Sequence, residues 1–400
     1  MIKHLLKINL IILLVGSILT NCNLFKKNDD NNDDALLGLF LLSQAGSCGI
    51  LEGEITQDRT ISGECILKGT VFVKNNATLT VLPGTVVKGE AGSSLFILPG
   101  SKIIAEGTAT NPIVFTSSKP EGERKSGDWG GIVIIGKAPI SNESTSPTTE
   151  GTDPQTYGTD NIVNDNSGKL KYVRIEFAGN EVAPGDELNG LSLYSVGSGT
   201  TIEYAQIHFG LDDAIEIFGG RVNPSYLLLT GIADDDVDVD MGYNGTIKNV
   251  LAYRYTSANG VTFSSDPRAF ELDGADSDQS GAIANGSTRG ASNITIENFT
   301  MIGYSNVSMG VARECAQVTL TNGSIVDLSS TTLDTSDTSP CSNPTNNVTG
   351  SASNDARNTR VTTDWNSSNP TQPPVFVNAN IEAFPGGTDW TQGWTIWRNN

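Results

Sequence analysis

Residues 233–242 read ADDDVDVDMG, with five aspartates in the seven positions from Asp234 to Asp240. A second acidic pair, Asp212 and Asp213, precedes Asp234 and Asp235 by 22 residues. Two chemistries use carboxylates at this density. A hard cation such as Ca2+ takes about six to eight oxygen ligands, which carboxylates and turn carbonyls supply. Alternatively, two carboxyl groups divide acid and base roles in glycoside cleavage. If the chain is an enzyme, Asp212, Asp213, Asp234 and Asp235 are the candidate catalytic residues, with His208 near them in sequence. Two histidines in 400 residues leave almost nothing for a His-based zinc site or a catalytic triad.

Side chains alternate across a strand. Over 235–241, Val237, Val239 and Met241 therefore share the inner face with Asp235, while Asp234, Asp236, Asp238 and Asp240 face out, neighbours about 7 Å apart. One coil back, Asp212 and Glu216 project the same way, Glu216 beside Asp238 and Asp212 beside Asp234. The candidate cation ligands are Asp212, Glu216, Asp234, Asp236, Asp238 and Asp240. Between 203 and 240 nine acidic side chains face one basic residue, Arg221. Like charges this close raise one another's pKa and destabilise the fold unless something neutralises them. Calcium is the natural neutraliser, and solvated repulsion without an ion is the alternative. His208 is expected outward beside Glu176 and Thr230, more as part of a surface ion pair than as an acid–base group. Arg174 and Arg254 are expected outward as basic candidates.

The elements that must hold these residues are legible as a repeat. IEYAQIHFGLDDAIEIFGG (202–220) aligns with PSYLLLTGIADDDVDVDMG (224–242) at a shift of 22: Tyr204 on Tyr226, Ile207 on Leu229, Ile215 and Ile217 on Val237 and Val239. YVRIEFAG (172–179) and NGLSLY (189–194) continue it upstream, NGVTF (259–263) and NVSMGV (306–311) downstream. Gly-rich turns, β-branched runs and little helical spacing make the chain all-β. Short strands in one phase are what a right-handed single-stranded parallel β-helix needs, each coil sealing its apolar face against the next. Barrels and sandwiches alternate through hairpins and require no such phase. Asn189, Asp213, Asp235, Asn259 and Asn306 occupy one repeat position and are expected to link neighbouring coils as a structural ladder.

Solenoid ends need caps. The Cys48–Cys65 region is expected at one end, and Trp390, Trp394 and Trp397 at the other; a carbohydrate-binding platform is the rival reading of these tryptophans. Cys48–Cys65 and Cys315–Cys341 are the expected local disulfides of an oxidising compartment. The N-terminus begins MIKHLLKINLIILLVGSILTNC, a basic start and an apolar run too short for a comfortable membrane span. It reads as an export signal (1–21), with Cys22 as the lipidated first residue of the mature chain. The expected layout continues with a tether over 22–46, a β-helix over 47–372 and a Trp-rich cap over 373–400. The formal charge of −20 becomes −22 when Lys3 and Lys7 leave, which argues against nucleic acid as a partner.

The stretches ATLTVLPGTVVKG, SGDWGGIVIIGKAPI, LDDAIEIFGG and the terminal DWTQGWT resemble a set of β-helical lipoproteins and outer-surface proteins of diderm bacteria. The resemblance covers most of 66–400; it implies a fold and an outer-membrane, surface-exposed location, and implies no mechanism. Paired carboxylates on a β-helix are also similar to polygalacturonases, but their Gly-His-Gly and Arg-x-Lys elements are absent here. The functional expectation is a lipid-anchored, adhesin-like binding or structural protein, contacting glycans or host and matrix proteins, its acidic face neutralised by Ca2+. A calcium-assisted polysaccharide lyase or glycoside hydrolase is the alternative.

Overall fold

The computed structural model describes residues 47–397 except 142–146, 184–185, 256–260, 275–290, 304–306, 327, 337–346, 350–351, 355–359, 363–374 and 378–380. Cys22, the tether and Cys341 lie outside the described residues. Residues Gly46–Asn400 form one compact unit. No helix among the described residues is long and apolar enough to cross a membrane.

The chain is a parallel β-helix. Strand Ile215–Phe218 lies between Leu191–Tyr194 and Val237–Asp240 in parallel register, with Leu191, Ile215 and Val237 in one column and Leu193, Ile217 and Val239 in the next. Those six side chains are fully buried. The alternation read from sequence therefore holds in this column: hydrophobes enter a single continuous core running from Cys48 to Leu333. Each coil closes its face only against its neighbours, so burial of these apolar side chains is also what sets the register.

The other two faces of a coil come from one long strand that bends. Gly168–Glu176, Thr201–His208, Ser225–Thr230, Asn244–Tyr253, Asn293–Ile302 and Gln317–Val326 stack in parallel. Each turns at one residue of positive φ, and these residues align: Tyr172, Tyr204, Tyr226, Asn249, Asn298 and Asn322, all between 50° and 57°. The left-handed bend turns the chain through the corner between faces. Asn tolerates this conformation best among non-glycine residues, and the asparagines add amide bonds, Asn298 Nδ2 donating to Asn249 Oδ1 (2.9 Å) and Asn322 Nδ2 to Asn298 Oδ1 (2.8 Å). The tyrosines gain ring stacking instead, at centroid distances of 4.6 and 4.3 Å.

One coil departs from the sequence alignment. The strand stacked on Val237–Asp240 is Arg268–Leu272, with Phe270 on Val237 and Leu272 on Val239, and not NGVTF (259–263). The coil is longer by an insertion, and Val261 and Phe263 pack instead with Phe209 and Tyr255 in a second apolar cluster. Downstream, Ser308–Ala312 stacks on Arg268–Leu272 in the expected slot, but with Gly310 on Phe270, two residues out of the register that NVSMGV suggested.

A disulfide joins Cys48 to Cys65, linking the first two strands, Ser47–Ile55 and Arg59–Val73. Cys315 is also disulfide-bonded. The tryptophans do not close an end. Trp390 and Trp394 pack edge-on against the tyrosine column along the side of the coils, and Trp397 against Tyr253. Gln206, buried on the outward face beneath the tail, exchanges hydrogen bonds with Ile396 O (2.7 Å) and Ile396 N (2.9 Å), and Arg174 Nη1 donates to Trp394 O. The tail is thus a lateral strap. Trp394 is fully buried, which removes the glycan-platform reading for that ring.

Candidate functional site

The ladder position places the acids. Asn189 Oδ1 accepts from Asp213 N (3.1 Å), Asp213 Oδ1 from Asp235 N (2.8 Å), and Asp235 Oδ1 from Arg268 N (2.6 Å). Two rungs of the expected ladder form, and a third joins Asp235 to Arg268, which was not expected there, because the insertion shifts the next strand. Asn259 and Asn306 lie outside the described residues. The ladder uses one oxygen of each aspartate. Asp213 and Asp235, expected as ladder residues and, in an enzyme, as catalytic candidates, both line an acidic cleft as well.

That cleft, about 180 Å³, is lined by Glu150, Glu187, Asp212, Asp213, Glu216, Asp234, Asp235, Asp238 and Glu271. All nine are carboxylates. The outward column runs Ser192, Glu216, Asp238, Glu271 across successive coils, so Glu216 does stack beside Asp238 as expected. Three triads bring one oxygen of each member within 4.8 Å of the others: Asp212/Asp213/Asp234, Asp213/Glu216/Asp238 and Asp235/Asp238/Glu271. Sequence reasoning missed Glu271, which sits in the register that the insertion hid; aligning AFEL with DVDV would have found it. It also missed Glu150 and Glu187, which come from irregular insertions and leave no repeat signal.

Two expected ligands are elsewhere. Asp236 is buried, not outward, because the residues before Val237 belong to a turn and not to the strand; Arg254 Nε donates to Asp236 Oδ2 at 3.0 Å. Asp240 lies beside Phe218, and its Oδ1 accepts from Met241 N. The candidates Asp212, Glu216, Asp234 and Asp238 remain together. Arg254 is buried, not outward, and Arg174 pairs with the buried Glu176 at 2.8 Å. His208 has the expected neighbours, Glu176 and Thr230, but is fully buried among Phe177, Phe209 and Tyr255, its Nδ1 2.7 Å from Thr230 Oγ1. It lines no part of the acidic cleft.

The cleft is electrically lopsided. At one end Arg268 pairs with Asp235 and Glu271, and Arg313 with Glu271 and Asp273. At the other end, among the described residues, no lysine or arginine forms an ion pair with Asp212, Asp213, Glu216 or Asp238. Burial, reinforced by a hydrogen bond with Glu187 and by neighbouring acids, pushes Asp212 up to about 9. Burial and mutual repulsion likewise hold Asp213, Glu216, Asp235 and Asp238 well above the ordinary carboxylate range. Asp238 Oδ1 is buried with no hydrogen-bond partner. A buried acceptor without a donor is costly, and a metal ion satisfies it.

No curated protein and no solved structure matches the chain. A family model for a pectate-lyase-like β-helix domain matches residues 53–395, which include the whole cleft and all of the described coils but the start of the first strand. The chain therefore belongs to the pectate-lyase-like β-helix domain family.

Proposed function

We propose that this protein is an exported, lipid-anchored β-helix that binds Ca2+ in the acidic cleft and uses the charged face in a binding or structural role at the cell surface. The observation that carries the cation is the partnerless, buried Asp238 Oδ1 within a wall made only of carboxylates. Calcium supplies what the fold lacks there, positive charge and an acceptor's partner, and a hard ion of its size suits carboxylate oxygen. The anchor at Cys22 rests on the leader sequence, and the right-handed sense of the coils on the general preference for right-handed parallel crossovers. An anionic cleft carrying partly coordinated calcium suits acidic glycans or acidic patches of matrix proteins, and the net charge disfavours nucleic acid.

Calorimetric titration of the metal-free protein with Ca2+ tests the cation. Saturable binding is expected, weakened at least tenfold in Asp238→Asn; a flat titration of the folded protein overturns the reading.

The second reading is a calcium-assisted polysaccharide lyase, favoured by the family match and by Arg268 at the cleft edge beside Asp235 (3.5 Å). Its weakness is that Arg268 is already shared among Asp235, Asp266 and Glu271, so its donors are committed. Acidic glycans incubated with protein and calcium should yield no unsaturated or reducing ends. Their release, abolished by Asp234→Ala with Asp235→Ala, would establish the enzyme instead.

A further inference from the structure

The three triads are not independent. The first and second share Asp213, and the second and third share Asp238. They also differ in what already neutralises them. In Asp235/Asp238/Glu271, arginine guanidinium groups occupy two of the three members, through Arg268 and Arg313. In Asp212/Asp213/Asp234 and Asp213/Glu216/Asp238 no such group pairs with Asp212, Asp213, Glu216 or Asp238 among the described residues.

Asp213 is the hinge of the arrangement. Its side chain is more than nine-tenths buried, at 6% exposure. Oδ1 is held by Asp235 N; Oδ2 receives no hydrogen bond from any described residue. A buried carboxylate that lines the cleft and belongs to two triads at once is placed to bridge them. Asp238, whose Oδ1 is buried without a hydrogen-bond partner, is a member of the second triad.

Resting on the calcium reading above, we infer that the cleft holds two divalent cations bridged by Asp213, one on Asp212 and Asp234 and one on Glu216 and Asp238, while the arginines take the place of a third. Bridging makes the two ions interdependent, since loss of the shared ligand strips both.

Equilibrium dialysis with Ca2+ alone, on the full mature chain, reads the stoichiometry directly. Two ions per chain are expected. Asp212→Asn and Glu216→Gln should each retain one, and Asp213→Asn should lower the affinity of both by tenfold or more. Thermal melts in chelator keep the result interpretable: each variant removes a repelling acid, so each should melt no lower than the parent without metal. One ion per chain, or Asp213→Asn losing only one of two, overturns the bridge and leaves the calcium reading standing. No ion at all overturns both.

Discussion

The tyrosine column and the acidic column obey the same rule and reach opposite energies. In-register stacking sets like residue on like residue. On the flank, Tyr172, Tyr204 and Tyr226 stack ring on ring and receive Trp390 and Trp394 edge-on. Offset and edge-on ring contacts of this kind are favourable. On the other face, Glu216, Asp238 and Glu271 stack carboxylate on carboxylate, which is unfavourable until charge is supplied. A flank completed by the chain's own tail is self-sufficient; in the acidic column only Glu271 has basic partners, Arg268 and Arg313, and Glu216 and Asp238 form no ion pair among the described residues.

The largest expected effect falls on the self-sufficient side. Trp394 is fully buried, and its Nε1 donates to Trp390 O at 2.8 Å. Trp394→Ala should cost about 3–5 kcal/mol. Urea unfolding should give the same loss in calcium and in chelator. A loss that depends on calcium would mean that strap and cleft are coupled and would break the contrast.

The acidic side should behave the other way, stable or not according to conditions. Asp213, Glu216 and Asp238 have folded pKa values raised above those of the unfolded chain, and Asp212 reaches about 9. Without metal, the folded state therefore holds more protons than the unfolded state above about pH 4. Stability is full below that point and falls as pH rises toward about 9. Calcium competes with those protons, so its stabilisation should grow over the same window. Saturation at a hundredfold excess over Kd is worth about 2.7 kcal/mol per independent site. Melts in chelator across this range, with and without added calcium, check both signs; parallel curves would remove the ion.

How much of this was legible in sequence follows from where the repeat is clean. The 22-residue shift places Ile215 on Val237 and Tyr204 on Tyr226, and the structure agrees, because hydrophobic phase and register are one constraint. The rung Asp213–Asp235 was legible too, but its double duty was not: a sequence reveals that a residue faces a turn, not that its second oxygen opens into a cleft. Alternation failed at Asp236, where the strand had not yet begun and Arg254, 18 residues on, claims the carboxylate. At His208 alternation gave the right neighbours, Glu176 and Thr230, and only the exposure differed. The outward face of that strand is covered by the tail, a contact spanning 190 residues at Gln206 and Ile396, and no local pattern encodes such a cover.

The smallest expected effect sharpens the comparison within a single column, where tyrosine gives way to asparagine at the same bend. Asn298 combines two contributions, tolerance of φ 56° and amide bonds to Asn249 and Asn322. Asn298→Ala loses both, at about 1–2 kcal/mol. Asn298→Gly keeps the backbone at ease and loses only the amides, so it should cost about 1 kcal/mol or less. Chemical denaturation of the two variants separates bend from ladder. If glycine is as costly as alanine, the amide stack is the main support of the corner and the column is held by its side chains throughout, rings at one end and amides at the other. If glycine is harmless, the asparagines serve the bend alone, and only the tyrosine half of the column is held by like stacking on like.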